Sequence, residues 1–268
     1  MSSSQKYNIV PSEPDKRNWE VEFPTDMMCI LDPHTKEVRA TVNSTPLFYS
    51  LRPYFYYIFN QGSLGSCTAN ASCQYYGFLL KKPFTPFSRL FQYWNTRNLM
   101  GKIQVDSGAS VKDTVKIMCT VGICLETYWP YDISKFKLKP PATAYKAIQP
   151  LPKGSSYVTI PVTPSQWQSA LLSGHPIIFG MHVFQQFESI MTSKQGIITY
   201  PTPNERYLGG HCMLCTGYNS TTNSFEILNS WGVRWGSGGY CYLPFEYLTK
   251  RYKNKTPLIF DAWIVISP

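Results

Sequence analysis

Apolar positions recur at helical spacing in the first half of the chain and at strand spacing in the second. From Thr68 to Leu80 the run carries Cys73, Tyr76, Gly77 and Leu80, and Lys81-Lys82-Pro83 stops it. That pattern predicts a helix starting at Cys67. A second helical run follows Ser88, through Leu90, Phe91 and Trp94. A third opens at Ser110, with Asp113 three residues on. It carries Val111, Val115 and Met118, and Gly122 stands where a C-terminal cap belongs. Thr163-Pro164-Ser165-Gln166 reads as a capping box with proline in the first turn, opening a helix that carries Trp167, Ala170 and Leu171 and ends at Gly174. Beyond it the chain reads as strands at 177–183, 196–200, 212–218, 224–228, 239–243 and 262–266. Helices first and strands later predict an α+β fold of two segregated lobes, not an alternating parallel sheet.

Residues 1–46 break this pattern. They are polar and turn-rich, with Pro11, Pro14, Pro24 and Pro33. One hairpin is predicted, Met27 to Leu31 with Val38 to Val42, turning at Asp32-Pro33-His34-Thr35. Too few apolar residues are present for an independent core. The expectation is an N-terminal extension over 1–46 and one folded domain over 47–268.

Composition narrows the function classes. The chain has 268 residues, enough for two packed lobes sharing a core. Lys and Arg number 25 against 16 Asp and Glu, a net charge of +9. A basic balance favours anionic partners, but no basic run interleaves with stacking aromatics, so no nucleic-acid partner is expected. The N-terminus lacks the basic and apolar regions of a signal peptide. No apolar run approaches the ~20 residues of a membrane span. The expected location is cytoplasmic or virion-associated, with no membrane partner. The eight cysteines sit mostly inside apolar patterns and read as free thiols. Cys212 and Cys215 have the spacing of a zinc half-site, but a strand there points them to opposite faces. No metal or cofactor is expected.

Three local strings carry chemistry. In Asn60-Gln61-Gly62-Ser63-Leu64-Gly65-Ser66-Cys67, a glycine-rich turn delivers Cys67 to a helix start. The free N–H groups of a helix N-terminus favour negative charge, which predicts a lowered thiol pKa and a populated thiolate. Gln61 can donate its amide to a developing oxyanion together with the Cys67 N–H. Gly209-Gly210-His211 opens a strand with an accessible imidazole. In Asn229-Ser230-Trp231-Gly232, the Asn229 amide oxygen can hold the imidazole tautomer, and Trp231 can cover that bond. Each string alone is weak. In this order they point to Cys67 as nucleophile, His211 as base and Asn229 as its orienting partner.

With these motifs the sequence resembles the papain family of cysteine proteases, cathepsin type, over roughly residues 50–267. It is similar to the disulfide-poor prokaryotic and large-virus members. The resemblance implies a helical lobe bearing Cys67, a β-barrel-like lobe bearing His211 and Asn229, and a cleft between them that binds protein or peptide substrates. It also implies substrate-binding roles for Gly108, in Asp106-Ser107-Gly108-Ala109, and for Gly180, Gly210, Cys212 and Trp231. Leu64 stands where secretory cathepsins carry a cysteine, so their disulfide at that point is expected to be absent. The paired histidines of an exopeptidase loop are also missing, which favours an endopeptidase.

The extension is shorter than the family's usual propeptide. A short segment of this kind can lie in the cleft and block it, or pack on the lobe surface. Cys29 offers a sharper device, a disulfide to Cys67 that would make latency redox-dependent. Two other functions compete with the protease reading: a catalytically silent binding protein on the same fold, and an acyl-transferring enzyme using the same Cys–His chemistry. The oligomeric state is open.

Overall fold

The computed structural model describes residues 6–13, 15, 18–25, 28–42, 44–253 and 255–268. One lobe is built on three helices, α1 (Cys67–Leu79), α2 (Arg89–Leu99) and α3 (Val111–Thr120). α1 is buried from Cys67 to Phe78 and packs against α2, α3 and the long strand Tyr207–Asn219. Ser88 and Ser110 cap α2 and α3, accepting from the N–H groups of Phe91 and Asp113, as the sequence pattern predicts. Gly122 follows α3 with a left-handed φ of 86°.

The second lobe is a sheet of seven strands. Six follow the spatial order Tyr240–Pro244, Ser224–Leu228, Tyr207–Asn219, Ile177–Phe184, Ile259–Ile266 and Ser156–Thr159. The seventh, Phe48–Ser50, pairs with the end of Tyr207–Asn219, beyond the reach of Ile177–Phe184. All these pairings are antiparallel. Among the described residues the two outer strands do not pair with each other, so the barrel-like lobe stays open. Trp167 and Trp263 are fully or almost fully buried in the core between helices and sheet. A fully buried large apolar side chain contributes about 1.5–3 kcal/mol.

The α+β architecture with two segregated lobes is the one the hydrophobic pattern predicts. Two local expectations need correcting. The strand expected over 196–200 does not form: a short helix, Ile190–Gln195, capped by Ser189, runs up to it and ends at Gly196 in the left-handed region. Only Ile197 then bridges to Tyr242. The capping box at Thr163 is half made. Thr163 accepts from the Gln166 N–H, but the Gln166 side chain bonds both the N–H and the carbonyl of Phe23 instead.

Those bonds tie the N-terminal extension to the body. Val21 donates to the Thr159 carbonyl, and Thr159 donates to that of Trp19. The hairpin Met28–Leu31 with Val38–Val42 packs against the helix Pro164–Leu172. Met27, the first residue of the expected hairpin, lies outside the described residues. His34 sits edge-on to Tyr54 and is tilted against Phe78. Among the described residues, no helix is long and apolar enough to cross a membrane.

Candidate active site

Cys67 is the first residue of α1, and its preceding residue, Ser66, makes no side-chain cap. The Ser66 hydroxyl is turned instead to Tyr131 and Asn70. The N–H groups at the helix start therefore remain free to face the sulfur. The Cys67 and Thr68 N–H groups do so, joined by the N–H of Cys212, the residue after His211. Thus α1 and the strand Tyr207–Asn219 meet at the thiol.

His211 shares a 2.8 Å hydrogen bond between Nε2 and Asn229 Oδ1. The Ser230 N–H donates to the same oxygen at 2.8 Å, which fixes the amide orientation. An amide oxygen only accepts, so Nε2 carries the imidazole proton and Nδ1 keeps a lone pair. Nδ1 is buried without a hydrogen-bond partner. Trp231 lies over His211 at 5.1 Å between ring centroids and excludes water from the Asn229 bond.

Gln61 is fully buried and held at both ends. Ser230 Oγ donates to its Oε1 at 2.7 Å, and its Nε2 donates to the Leu64 carbonyl at 3.1 Å. The amide cannot flip without breaking both bonds, so its N–H face stays toward the turn that leads into Cys67.

The cleft between the lobes is occupied by the chain's own residues 6–10. Asn8 bridges in parallel to Gly210, and Val10 donates to the Ala109 carbonyl at 3.2 Å. Glycines make this approach possible. A methyl on Gly108 would sit 1.3 Å from the Asn8 carbonyl oxygen, and one on Gly210 would sit 2.1 Å from Ile9 Cγ2. Ile9 also faces Gly180, beside Phe260. Tyr7 packs edge-on against His211 and Trp231, and its hydroxyl donates to Glu188 at 2.7 Å.

This covering reverses the expected electrostatics. Burial pushes the Cys67 thiol up to about 11, against the opposing pull of its backbone N–H partners. Burial likewise pushes His211 down to about 4, although the Asn229 bond opposes the shift. The lowered thiol pKa expected from the helix start is not found in this conformation, because desolvation outweighs the N–H groups. Near neutrality Cys67 is therefore a thiol and His211 a neutral imidazole.

Three comparisons with known proteins agree on the family. The model of the papain family cysteine proteases matches residues 102–251. An uncharacterized peptidase C1-like protein of Acanthamoeba polyphaga mimivirus is 35% identical over 285 residues, spanning 98% of this chain and 87% of that protein. The chain belongs to the papain family of cysteine proteases. Xylellain, a cysteine protease from Xylella fastidiosa, is 26% identical with a TM-score of 0.76, over 100% of this chain and 99% of that one. A cysteine protease of Carica candamarcensis, solved in complex with E-64, shares the fold with a TM-score of 0.59 at 19% identity, over 83% of this chain and 99% of that one. This papain-family chain is accordingly a cysteine peptidase with protein or peptide substrates.

The residues singled out in the sequence converge, with one exception. Asn229 holds His211, Ser230 joins Gln61 to the Asn229 string, and the N–H after His211 reaches Cys67. Gly108, Gly180, Gly210 and Trp231 line the cleft around residues 7–9, while Cys212 reaches Cys67 through its backbone N–H. Cys29 is the exception. It is an exposed free thiol, paired through β-sheet register with Thr41, and Cys67 is also free. The Cys29–Cys67 disulfide is not formed, because the hairpin packs on the helix Pro164–Leu172 while Tyr7, Asn8 and Ile9 fill the cleft. Sequence reasoning missed Asp106. Its carboxylate accepts from the Gly65 N–H at 3.1 Å and from the Tyr93 hydroxyl, and Tyr93 in turn accepts from the Gly108 N–H. Arg97, fully buried, donates to the carbonyls of Ile103 and Val105 and fixes the segment that carries Asp106. The available signal was Leu64: without a cysteine there, the turn before Cys67 needs another anchor.

Proposed function

We propose that this peptidase is an endopeptidase held latent by residues 6–12, with Cys67 as nucleophile, His211 as acid and base, Asn229 as its orienting partner and Gln61 as an oxyanion donor. One observation carries the assignment. The His211 Nε2 proton is committed to Asn229, so Nδ1 is the nitrogen left to act as base, and the N–H of the next residue, Cys212, already reaches the Cys67 thiol. With the cleft open to water, the proton of Cys67 passes to Nδ1. The thiolate attacks the peptide carbonyl, and the oxyanion takes hydrogen bonds from the Cys67 N–H and the Gln61 amide. The imidazolium protonates the departing amine, leaving an acyl thioester. Water, deprotonated by His211, hydrolyses that thioester and frees the thiol.

The polarity of the covering segment supports latency. The leaving amine must lie on the His211 side, so a productive peptide places its later residues near His211 and Trp231. Residues 6–10 run the other way, with the earlier residue Tyr7 at His211 and the later Ile9 and Val10 at Gly180 and Ala109. The segment fills the cleft without presenting a cleavable bond. The functional boundary then falls near residue 12, because Trp19, Val21, Phe23 and the hairpin that follows are tied to the body.

The test uses E-64, the ligand named for the Carica candamarcensis enzyme. Full-length protein and a form lacking residues 1–12 are incubated with it, and the adduct is mapped by mass. Labelling of Cys67 in the shortened form, lost on His211→Ala, is the expected result. Equal labelling of both forms would reject latency. No labelling of either folded form would reject the catalytic assignment and favour a silent binding protein.

A further inference from the structure

The protein carries a net charge of +9, yet the side chain paired with Lys6 of the covering segment is acidic. Lys6 Nζ lies 2.6 Å from Asp106 Oδ2, and that carboxylate is 11% exposed while the lysine side chain is 44% exposed. Asn8 Nδ2 donates to the Asp106 carbonyl oxygen at 3.1 Å. Asp106 is therefore at once a wall of the cleft and the seat of an ammonium group supplied by a peptide lying there. Its remaining bonds, to the Gly65 N–H and the Tyr93 hydroxyl, come from the body and do not depend on the segment. When residues 6–12 leave, the carboxylate stays in place and loses its cation. Gly65 is two residues before Cys67, so the Asp106 carboxylate bonded to its N–H stands at the turn that delivers the nucleophile. The side chain nearest to it thus belongs to a residue at the bond being cut.

We infer that Asp106 is a specificity-determining residue, and that the opened enzyme selects peptides with a lysine or arginine side chain at the residue supplying the attacked carbonyl. Lys6 occupies the seat of that substrate cation in the latent form. This inference rests on the proposed Cys67 chemistry and adds the substrate class to it. A partly buried carboxylate with two fixed donors is preorganised for a third. A charge-assisted bond to it discriminates against a substrate lacking the cation by about 10-fold or more. The selectivity is electrostatic, so salt weakens it, whereas an apolar contact at the same place does not respond in that way.

The protein lacking residues 1–12 is assayed on a fluorogenic peptide library varied at the three residues before the scissile bond. Hydrolysis of the neutral peptides establishes the Cys67 reading independently of charge preference. Lysine or arginine next to the scissile bond should exceed norleucine by about 10-fold in kcat/KM. Asp106→Asn keeps an oxygen for the Gly65 N–H and should remove that preference, read as the ratio of kcat/KM for the basic and norleucine peptides within the variant. Raising the ionic strength on the unsubstituted shortened protein should lower kcat/KM for the basic peptide and not for the neutral one, a reading that needs no variant. A flat profile at that residue, or a basic preference that survives both Asp106→Asn and high salt, overturns the inference. Loss of basic and neutral turnover together in Asp106→Asn, with no salt effect in the parent, would assign Asp106 to holding the Gly65 turn only.

Discussion

Two stretches of the N-terminal extension look alike in sequence and behave differently in the fold. Residues 6–12 and the hairpin Met28–Leu31 with Val38–Val42 both lie in the proline-punctuated stretch 1–46, and each carries a short apolar run. The first enters the cleft and meets Gly108, Gly209 and Gly210 at distances only glycine permits. The second lies on the helix Pro164–Leu172 and carries the one reactive-looking group, Cys29. The contrast separates two ways to silence a thiol. A covalent latch needs one cysteine in the right place. In the proposed latent form the first stretch instead works by shape: Tyr7 lies against His211 and Trp231, and desolvation of the site does the rest.

The largest expected effect tests that desolvation directly. With the Cys67 thiol pushed up to about 11, its thiolate fraction at pH 7 is roughly one part in ten thousand. His211, pushed down to about 4, is neutral at the same pH and cannot hold the thiolate by charge. Iodoacetamide alkylation of Cys67 in the full chain should therefore be slow at pH 7 and climb about tenfold per pH unit toward pH 11. Removing residues 1–12 readmits water and lets the proton pass to His211. Alkylation at pH 7 should then rise by about 10³ or more, with a shallow dependence above the imidazolium-forming range. Matching rates in the two forms at pH 7 would show that residues 6–12 do not control the ionisation of the pair.

The catalytic strings are local, which is why they are legible. Cys67 follows a glycine turn into a helix, Gly210 precedes His211, and Asn229 opens a four-residue string. The helices are legible for the same reason, since Ser88 and Ser110 cap them within three residues. The cleft's occupant is not local. Gly108, Gly180 and Gly210 announce room for a backbone, but nothing within a few residues of them says that the backbone is Tyr7-Asn8-Ile9. The thiol's upward shift follows its burial, which helix-start reasoning alone does not see. Gly196 misled at shorter range. It precedes Ile197 and Ile198 as a strand start would, and it closes the helix Ile190–Gln195 instead.

A middle-sized effect separates shape from strain. Gly209 has φ +137°, and Gly108 has φ +71°, so a side chain at either strains the backbone whatever occupies the cleft. Gly210 has no such φ, and its obstacle is the Ile9 Cγ2 at 2.1 Å. Gly210→Ala should displace the segment and speed alkylation of Cys67 in the full chain by about 10-fold at pH 7, a shift of about 1.4 kcal/mol toward the open form. Adding Ile9→Ala to that variant gives the methyl room and should return labelling toward the slow rate. Fast labelling that the second substitution does not slow would mean that the methyl acts on the site itself and not through the segment.

The smallest expected effect falls on the hairpin, and it is the one that would revive the covalent latch. Cys29 is exposed, and its sulfur lies 4.0 Å from Thr41 Oγ1, the outer limit of a sulfur hydrogen bond. Replacing it with serine removes no buried contact and leaves the register with Thr41 intact. Cys29→Ser in the full chain should change stability by no more than about 0.5 kcal/mol. The Cys67 alkylation rate should be unchanged, with or without a reductant present. A full chain that gains activity on reduction, and loses that response in Cys29→Ser, would mean that the hairpin leaves its helix to reach the cleft. The energetics make that costly. Phe23 would give up two bonds to Gln166, and His34 would leave the rings of Tyr54 and Phe78, before any sulfur could meet Cys67. A segment already seated on the glycines of the cleft makes no such demand, and for that reason shape, not sulfur, is the device expected to control this thiol.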